Sequence, residues 1–196
     1  MLSLSPNYSP SQVCLLVCDI QERFRELLPN FETLLKCSRI LIDVCKVLGI
    51  NIVTTEQYPK ALGHTVSELA PLIQEHPIFE KTCFSMITKD AESHLKSQNC
   101  GNFIIVGQET HVCVLQTVYD IIRIDPEAKV FIVAEAVDSQ RKFDRDIALA
   151  ELGKLDNVFI VSAQSLVFRL LGDAKHPQFK EVSKLAKELM DLVRPQ

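Results

Sequence analysis

The feature that most limits this chain is an alternation of short, wholly apolar runs with longer stretches whose apolar residues recur every three or four positions. Val13–Cys18 reads VCLLVC, residues 103–107 read FIIVG, and residues 130–134 read VFIVA. Runs without polar interruption suit strands covered on both faces, the condition of a parallel sheet. Between them, residues 31–48 carry the helical period and stop at Gly49, a residue at ease in the left-handed conformation that ends helices. Residues 50–55, 78–80 and Val158–Val161 supply further strands. Helices are expected near 66–73 and over 90–98, 111–123, 144–153 and 163–171. Strands and helices taken in turn predict an α/β fold: a single Rossmann-like three-layer sandwich with about six parallel strands.

The 196 residues are enough for one domain with a real core, and no repeat or linker divides them. The domain is expected over 13–196. Residues 1–12, MLSLSPNYSPSQ, lack Lys, Arg and any long apolar segment, so they read as a short flexible leader rather than a targeting peptide. A last amphipathic helix over 176–193 would pack on the body or on a partner subunit. The net charge is −4 with scattered Lys and Arg, whereas nucleic-acid binding calls for a clustered basic patch. No apolar run reaches the ~18 residues that span a bilayer. Seven cysteines form an odd set without CxxC spacing, which argues against a disulfide framework or zinc site. They place the protein in a reducing compartment: the cytoplasm, with the mitochondrion left open.

In an open parallel sheet, reactive groups gather where strands end. Asp19 directly follows the first apolar run, Glu56 and Gln57 the second, and Lys81 the third. The turn Gly107–Gln108–Glu109–Thr110 follows the fourth, and Glu135 and Asp138 the fifth. Cys113 then falls in the first turn of the next helix, where unpaired N–H groups and the positive end of the helix dipole favour a thiolate. Lys81 could stabilise that thiolate, and Asp19 could carry its proton. Each taken alone has a plainer reading, as a core cysteine, a helix cap or a surface charge. Their shared position at three strand ends favours chemistry.

Cys18–Asp19–Ile20–Gln21, then Lys81–Thr82–Cys83–Phe84–Ser85, then 107–117 resemble, in order and spacing, three motifs of the isochorismatase-like cysteine hydrolases. Residues 55–69 (TEQYPKALGHTVSEL) and 172–182 (GDAKHPQFKEV) resemble the isochorismatase domain-containing proteins within that superfamily. The resemblance implies an Asp–Lys–Cys triad at Asp19, Lys81 and Cys113. It also implies a non-proline cis peptide at Gln108–Glu109, with an oxyanion hole from the N–H groups of Glu109 and Cys113. A homo-oligomer, dimer or tetramer, is implied as well. By motif position the substrate-binding rim includes Gln21, Phe24, Tyr58, Phe84 and Glu109, a partly apolar set suited to a small molecule.

Nicotinamidases of the superfamily hold a metal with an Asp-x-His after the second strand. Here the matching residues are Glu56–Gln57–Tyr58, with His64 further on, so no metal and no other cofactor is expected. His64 and His76 read as loop residues, and His111 as facing out from the helix, with tuning of the thiol two residues on as its alternative role. Cys113 points to acyl chemistry, most simply hydrolysis of a C–N amide bond through a thioester. Hydrolysis of another small ester or ether is the alternative, as is a catalytically quiet interaction module on the same fold.

Overall fold

The computed structural model describes residues 9–190 and Leu192. The strands are β1 (Val13–Cys18), β2 (Asn51–Gln57), β3 (Ile78–Lys81), β4 (Asn102–Gln108), β5 (Lys129–Asp138) and β6 (Val158–Val161). The α-helices are α1 (Phe31–Leu48), two single turns α2 (Pro59–Leu62) and α3 (Ala70–Ile73), then α4 (Lys89–Ser97), α5 (Leu115–Ile124), α6 (Lys142–Leu152), α7 (Ala163–Leu171) and α8 (Phe179–Met190). The six strands form one sheet in the order β3-β2-β1-β4-β5-β6, and every pairing is parallel.

Strand alternation divides the interior into two layers. Val13, Leu15 and Val17 of β1 join Ile104, Val106, Phe131 and Val133 in a core roofed by α1, α7 and α8. Cys14, Leu16 and Cys18 point the other way, with Phe103, Ile105, Val130 and Ile132, into a core roofed by α4, α5 and α6. β1 is buried along its whole length, as its uninterrupted apolar sequence predicts. Local signals agree with these bounds: Thr88 and Ser162 cap α4 and α7 through their hydroxyls, and Gly49 closes α1 at φ 68°.

Several expected boundaries move. β2 continues through Glu56 and Gln57, β3 includes Lys81, and β5 runs on to Asp138, so Glu135 lies inside a strand rather than after one. An irregularity opposite Ile105 and Gly107 lets β5 carry extra residues while keeping its pairing with β4. The expected helix over 111–123 divides into a π-helical turn, Thr110–Val114, followed by α5. Of the leader, 1–8 lie outside the described residues, while Pro10–Gln12 make a 3-10 turn whose Gln12 carbonyl accepts from Gly101 N at 3.1 Å.

The C-terminal helix packs on the body: Val182, Ala186 and Leu189 enter the α1-side core, and Arg39 reaches Glu188 at 2.7 Å. Residues 191 and 193 of the expected 176–193 segment lie outside the described residues. No helix among the described residues is long and apolar enough to cross a membrane. The topology reverses between β1 and β4, whose carboxyl ends open the crevice in which sheets of this kind hold ligands.

Candidate active site

Asp19, Lys81 and Cys113 come together at that crevice. Asp19 is the first residue past β1, held at φ 51° and 1% exposed, with its N–H donating to Thr55 O at 3.2 Å. The β1–β2 register sets Cys18 opposite Thr55, and the Thr55 hydroxyl donates to Asp19 Oδ1 at 2.7 Å. Lys81 ends the edge strand β3, whose exposure pattern is inverted: apolar Ile78 faces solvent while Lys81 is buried.

The ammonium of Lys81 lies 2.6 Å from Asp19 Oδ2, 2.7 Å from Gln57 Oε1 and 2.9 Å from the Phe84 carbonyl. Those contacts occupy its three protons. Cys113 Sγ, at 3.7 Å, therefore meets Lys81 chiefly as a nearby positive charge. Burial opposes the ammonium, but the neighbouring Cys18, Asp19 and Cys113 outweigh that effect and hold Lys81 above the ordinary lysine range. It is a fixed cation at neutral pH.

Cys113 is 7% exposed and sits in the π-helical turn, a rare geometry frequent at functional sites. The Glu109 carbonyl accepts from Val112 N at 3.1 Å and Val114 N at 3.2 Å. The Thr117 hydroxyl donates to Cys113 O at 2.6 Å and accepts from Met86 N at 2.9 Å, tying the turn to the segment after Lys81. The Gln108–Glu109 peptide is cis, and the buried Gln108 donates through Nε2 to Asp19 O at 2.8 Å. Gly107, at φ 115°, is pressed on β1: a Cβ there would lie 2.0 Å from Cys18 O, so no larger residue fits.

The expected rim residues separate. Tyr58 and Phe84 are about half exposed and flank Lys81, Tyr58 by donating its N–H to Lys81 O at 2.8 Å and Phe84 through its carbonyl. Glu109 is half-buried and its Oε1 accepts from Gln140 N at 2.9 Å. Gln21 is fully buried: its Oε1 accepts from Gln57 N at 2.8 Å, and its Nε2 donates to the Gln57 and Gly63 carbonyls. That is the position of a brace between loops rather than of a rim residue. Phe24 packs against the α1-side core.

His111 is held between Ser139 Oγ at 3.0 Å and Asp144 Oδ2 at 3.8 Å. Thr55 and Thr117, which bond Asp19 and the Cys113 carbonyl, are not picked out by the sequence, whereas Gln57 is one of its strand-end residues. Thr55 lies opposite Cys18 only once β1 and β2 are in register, which the chain order does not show.

The donor set around Glu56 does not fit a resident metal. Its Oε1 accepts from the N–H and hydroxyl of Thr65 at 2.7 and 2.8 Å, and its Oε2 meets His64 Nδ1 at 2.8 Å. Burial pushes the Glu56 carboxyl up, but these partners outweigh it and hold it below the ordinary range. Among the described residues no group of three or more His, Cys, Asp or Glu side chains is placed to hold a metal ion.

The order of these segments along the chain matches a known family model, the isochorismatase domain, over residues 13–164. The chain belongs to the isochorismatase family. Isochorismatase family protein 1A of Dictyostelium discoideum is 38% identical over 187 residues, covering 93% of this chain and 89% of that protein. Isochorismatase domain-containing protein 2 of Bos taurus is 38% identical over 184 residues, covering 91% and 85%. Among solved structures, one described as MAR1 ribonuclease from Caenorhabditis elegans superposes with a TM-score of 0.85 at 39% identity, covering 91% of each chain. Membership makes this an isochorismatase-like hydrolase fold.

Proposed function

We propose that the protein is a metal-independent hydrolase that cleaves the C–N bond of a small amide through a thioester at Cys113. The observation that carries this reading is the buried Lys81 ammonium, bound to Asp19 at 2.6 Å and facing the Cys113 sulfur at 3.7 Å. The Lys81 charge faces the sulfur that carries the negative charge when a thiolate attacks. Asp19 accepts the thiol proton, and the thiolate attacks the carbonyl carbon. The N–H groups of Glu109 and Cys113 take the oxyanion. Asp19 then protonates the leaving nitrogen and activates the water that opens the thioester. Tyr58 and Phe84 form the apolar rim for a small substrate.

A cytoplasmic, reducing setting belongs to this reading and is supported by seven cysteines that are all free. A homo-oligomer belongs to it too. The apolar face of α8 is occupied within the chain, so the exposed pair Phe143 and Ile147, one turn apart on α6, is the better contact. Light scattering that returns a monomer at micromolar concentration overturns that part. The ribonuclease description of the C. elegans relative is not carried over: the site's cation is fully buried and already paired, whereas RNA calls for exposed basic residues.

The test is a hydrolysis screen over small amides, ureas, esters and a single-stranded RNA, with Cys113→Ser as control. Amide turnover that falls by several orders of magnitude in the variant supports the reading. Near wild-type turnover in Cys113→Ser removes the covalent route, and activity confined to esters or RNA removes the amide assignment.

A further inference from the structure

Cys18 is a second thiol in the site, and hydrolysis as described leaves it without a task. It ends β1, fully buried, on the face of the sheet that carries Cys113, and the two belong to one packed cluster. Its surroundings are polar for a core cysteine: Sγ lies 3.3 Å from the Gln108 carbonyl and 3.7 Å from Asp19 Oδ2, and the Lys81 ammonium bound to that same oxygen lies 3.7 Å from Cys113 Sγ. Gly107 fixes this approach, because β1 and the turn leading to Cys113 touch through backbone where a Cβ would collide with Cys18 O. Cys45 makes the contrast. It too is buried, but burial alone raises its thiol, as for an ordinary small apolar residue.

The two sulfurs differ in what can reach them. Cys113 is 7% exposed and faces the Lys81 charge, so a small oxidant that enters as substrate does meets this sulfur first. Cys18 is closed to solvent. Burial above all, with the charge of Asp19, holds its pKa well above the ordinary thiol range.

We propose that Cys18 and Cys113 form a dithiol that hydrogen peroxide converts, through a sulfenic acid on Cys113, into a reversible active-site disulfide. In the first step the Cys113 thiolate attacks one peroxide oxygen. The O–O bond breaks, sulfur is oxidised to S–OH, and hydroxide leaves. In the second, Asp19 takes the Cys18 proton and the Cys18 sulfur attacks the sulfenic sulfur. The S–S bond forms as the S–O bond breaks, and the hydroxyl departs with that proton as water. The disulfide removes the nucleophile and shields it from sulfinic acid, which dithiols do not reverse. The proposal rests on Cys113 being the reactive thiol of the hydrolase.

The test exposes the full chain to a modest excess of hydrogen peroxide, blocks remaining thiols with iodoacetamide, and maps unreduced peptides by mass spectrometry. The expected product is a linked Cys18–Cys113 peptide pair lighter by two hydrogen atoms. Dithiothreitol should remove it and restore iodoacetamide labelling at Cys113. In Cys18→Ala, and in Cys18→Ser as a second variant, Cys113 should pass to sulfinic acid and stay unlabelled after dithiothreitol. Wild-type Cys113 that goes to sulfinic acid with Cys18 still free, or that links to the exposed Cys83, overturns the proposal and leaves the hydrolase reading intact. A Cys113 no more reactive than Cys100 towards both reagents overturns both, and is told apart by its slow labelling before any peroxide is added.

Discussion

The middle of the sheet and its carboxyl edge follow different rules although the same strands build both. Through its middle, β1 is six buried apolar residues that alternate between two cores. One residue further, Asp19 is equally buried but charged, takes a positive φ, and pairs with a lysine whose side chain is closed to solvent. The middle is held by area removed from water, to which many residues contribute and which tolerates exchange of one for another. At the edge a few paired groups hold one another, and losing any one leaves its partner buried and uncompensated. Substitution in the middle should therefore cost stability and leave the chemistry intact, while substitution at the edge should cost both.

Lys81→Met should break the edge most severely. It leaves the Asp19 carboxylate buried with only the Thr55 hydroxyl and the weak Cys18 thiol as side-chain donors among the described residues, at a cost of about 3–5 kcal/mol. In urea the midpoint should drop, and in the folded variant the pH profile of Cys113 alkylation should move to higher pH. An unmoved profile ends the assignment of Lys81 to the thiolate. Because Lys81 is held above the ordinary lysine range, its contribution is complete below about pH 10 and fades only as pH rises through the raised value. The deficit of the variant should thus be constant around neutrality.

Leu16→Ala, in the middle of β1, should cost about 2–5 kcal/mol through the cavity it leaves. Its alkylation profile should match wild type where both are folded; a shifted profile would mean that the two regions are coupled. Thr55→Val keeps the shape but removes the hydroxyl that donates to Asp19, at about 1–2 kcal/mol. Here the sharper readout is turnover, which should fall with KM little changed.

His64→Ala probes the loop latch at the outer end of the edge and should show the smallest effect. Hydrogen bonding and attraction from Glu56 raise the His64 pKa, so its contribution is present below the ordinary histidine range and is lost as pH climbs through the raised value. The Glu56 carboxylate, held low, contributes above the ordinary carboxylate range and loses that contribution as pH falls through the lowered value. Melting curves of wild type and variant should therefore separate in mildly acidic buffer and converge in alkaline buffer. A separation that persists in alkali would assign His64 a packing role instead.

The same division explains what the sequence made legible. β1, β6, α1 and α7 were readable to the residue because hydropathy and caps agree along them. The ends of β2 and β5 were not, since Glu56, Gln57 and Asp138 are polar residues kept in the sheet by specific partners, and hydropathy stops where apolar residues stop. β3 was weak for the related reason that its apolar Ile78 faces out and its charged Lys81 faces in. The π-helical turn left no trace, because a single wide turn barely alters the apolar spacing over 111–123. Strand-end position picks out Asp19 and Lys81, and the first turn of the next helix picks out Cys113, three side chains that the structure brings together; Gln21 reads as a rim residue because nothing in the chain order shows that its amide is engaged by Gln57 and Gly63.

The seating of α8 on α1 has a consequence for the chain as it leaves the ribosome. α1 is complete by residue 48, yet the helix that covers its outer face begins at Phe179. At ordinary elongation speeds the wait is on the order of ten seconds. Throughout it the strip later covered by Val182, Ala186 and Leu189 stays open to whatever apolar surface passes, so the nascent protein offers a hold for chaperones that the finished protein no longer has.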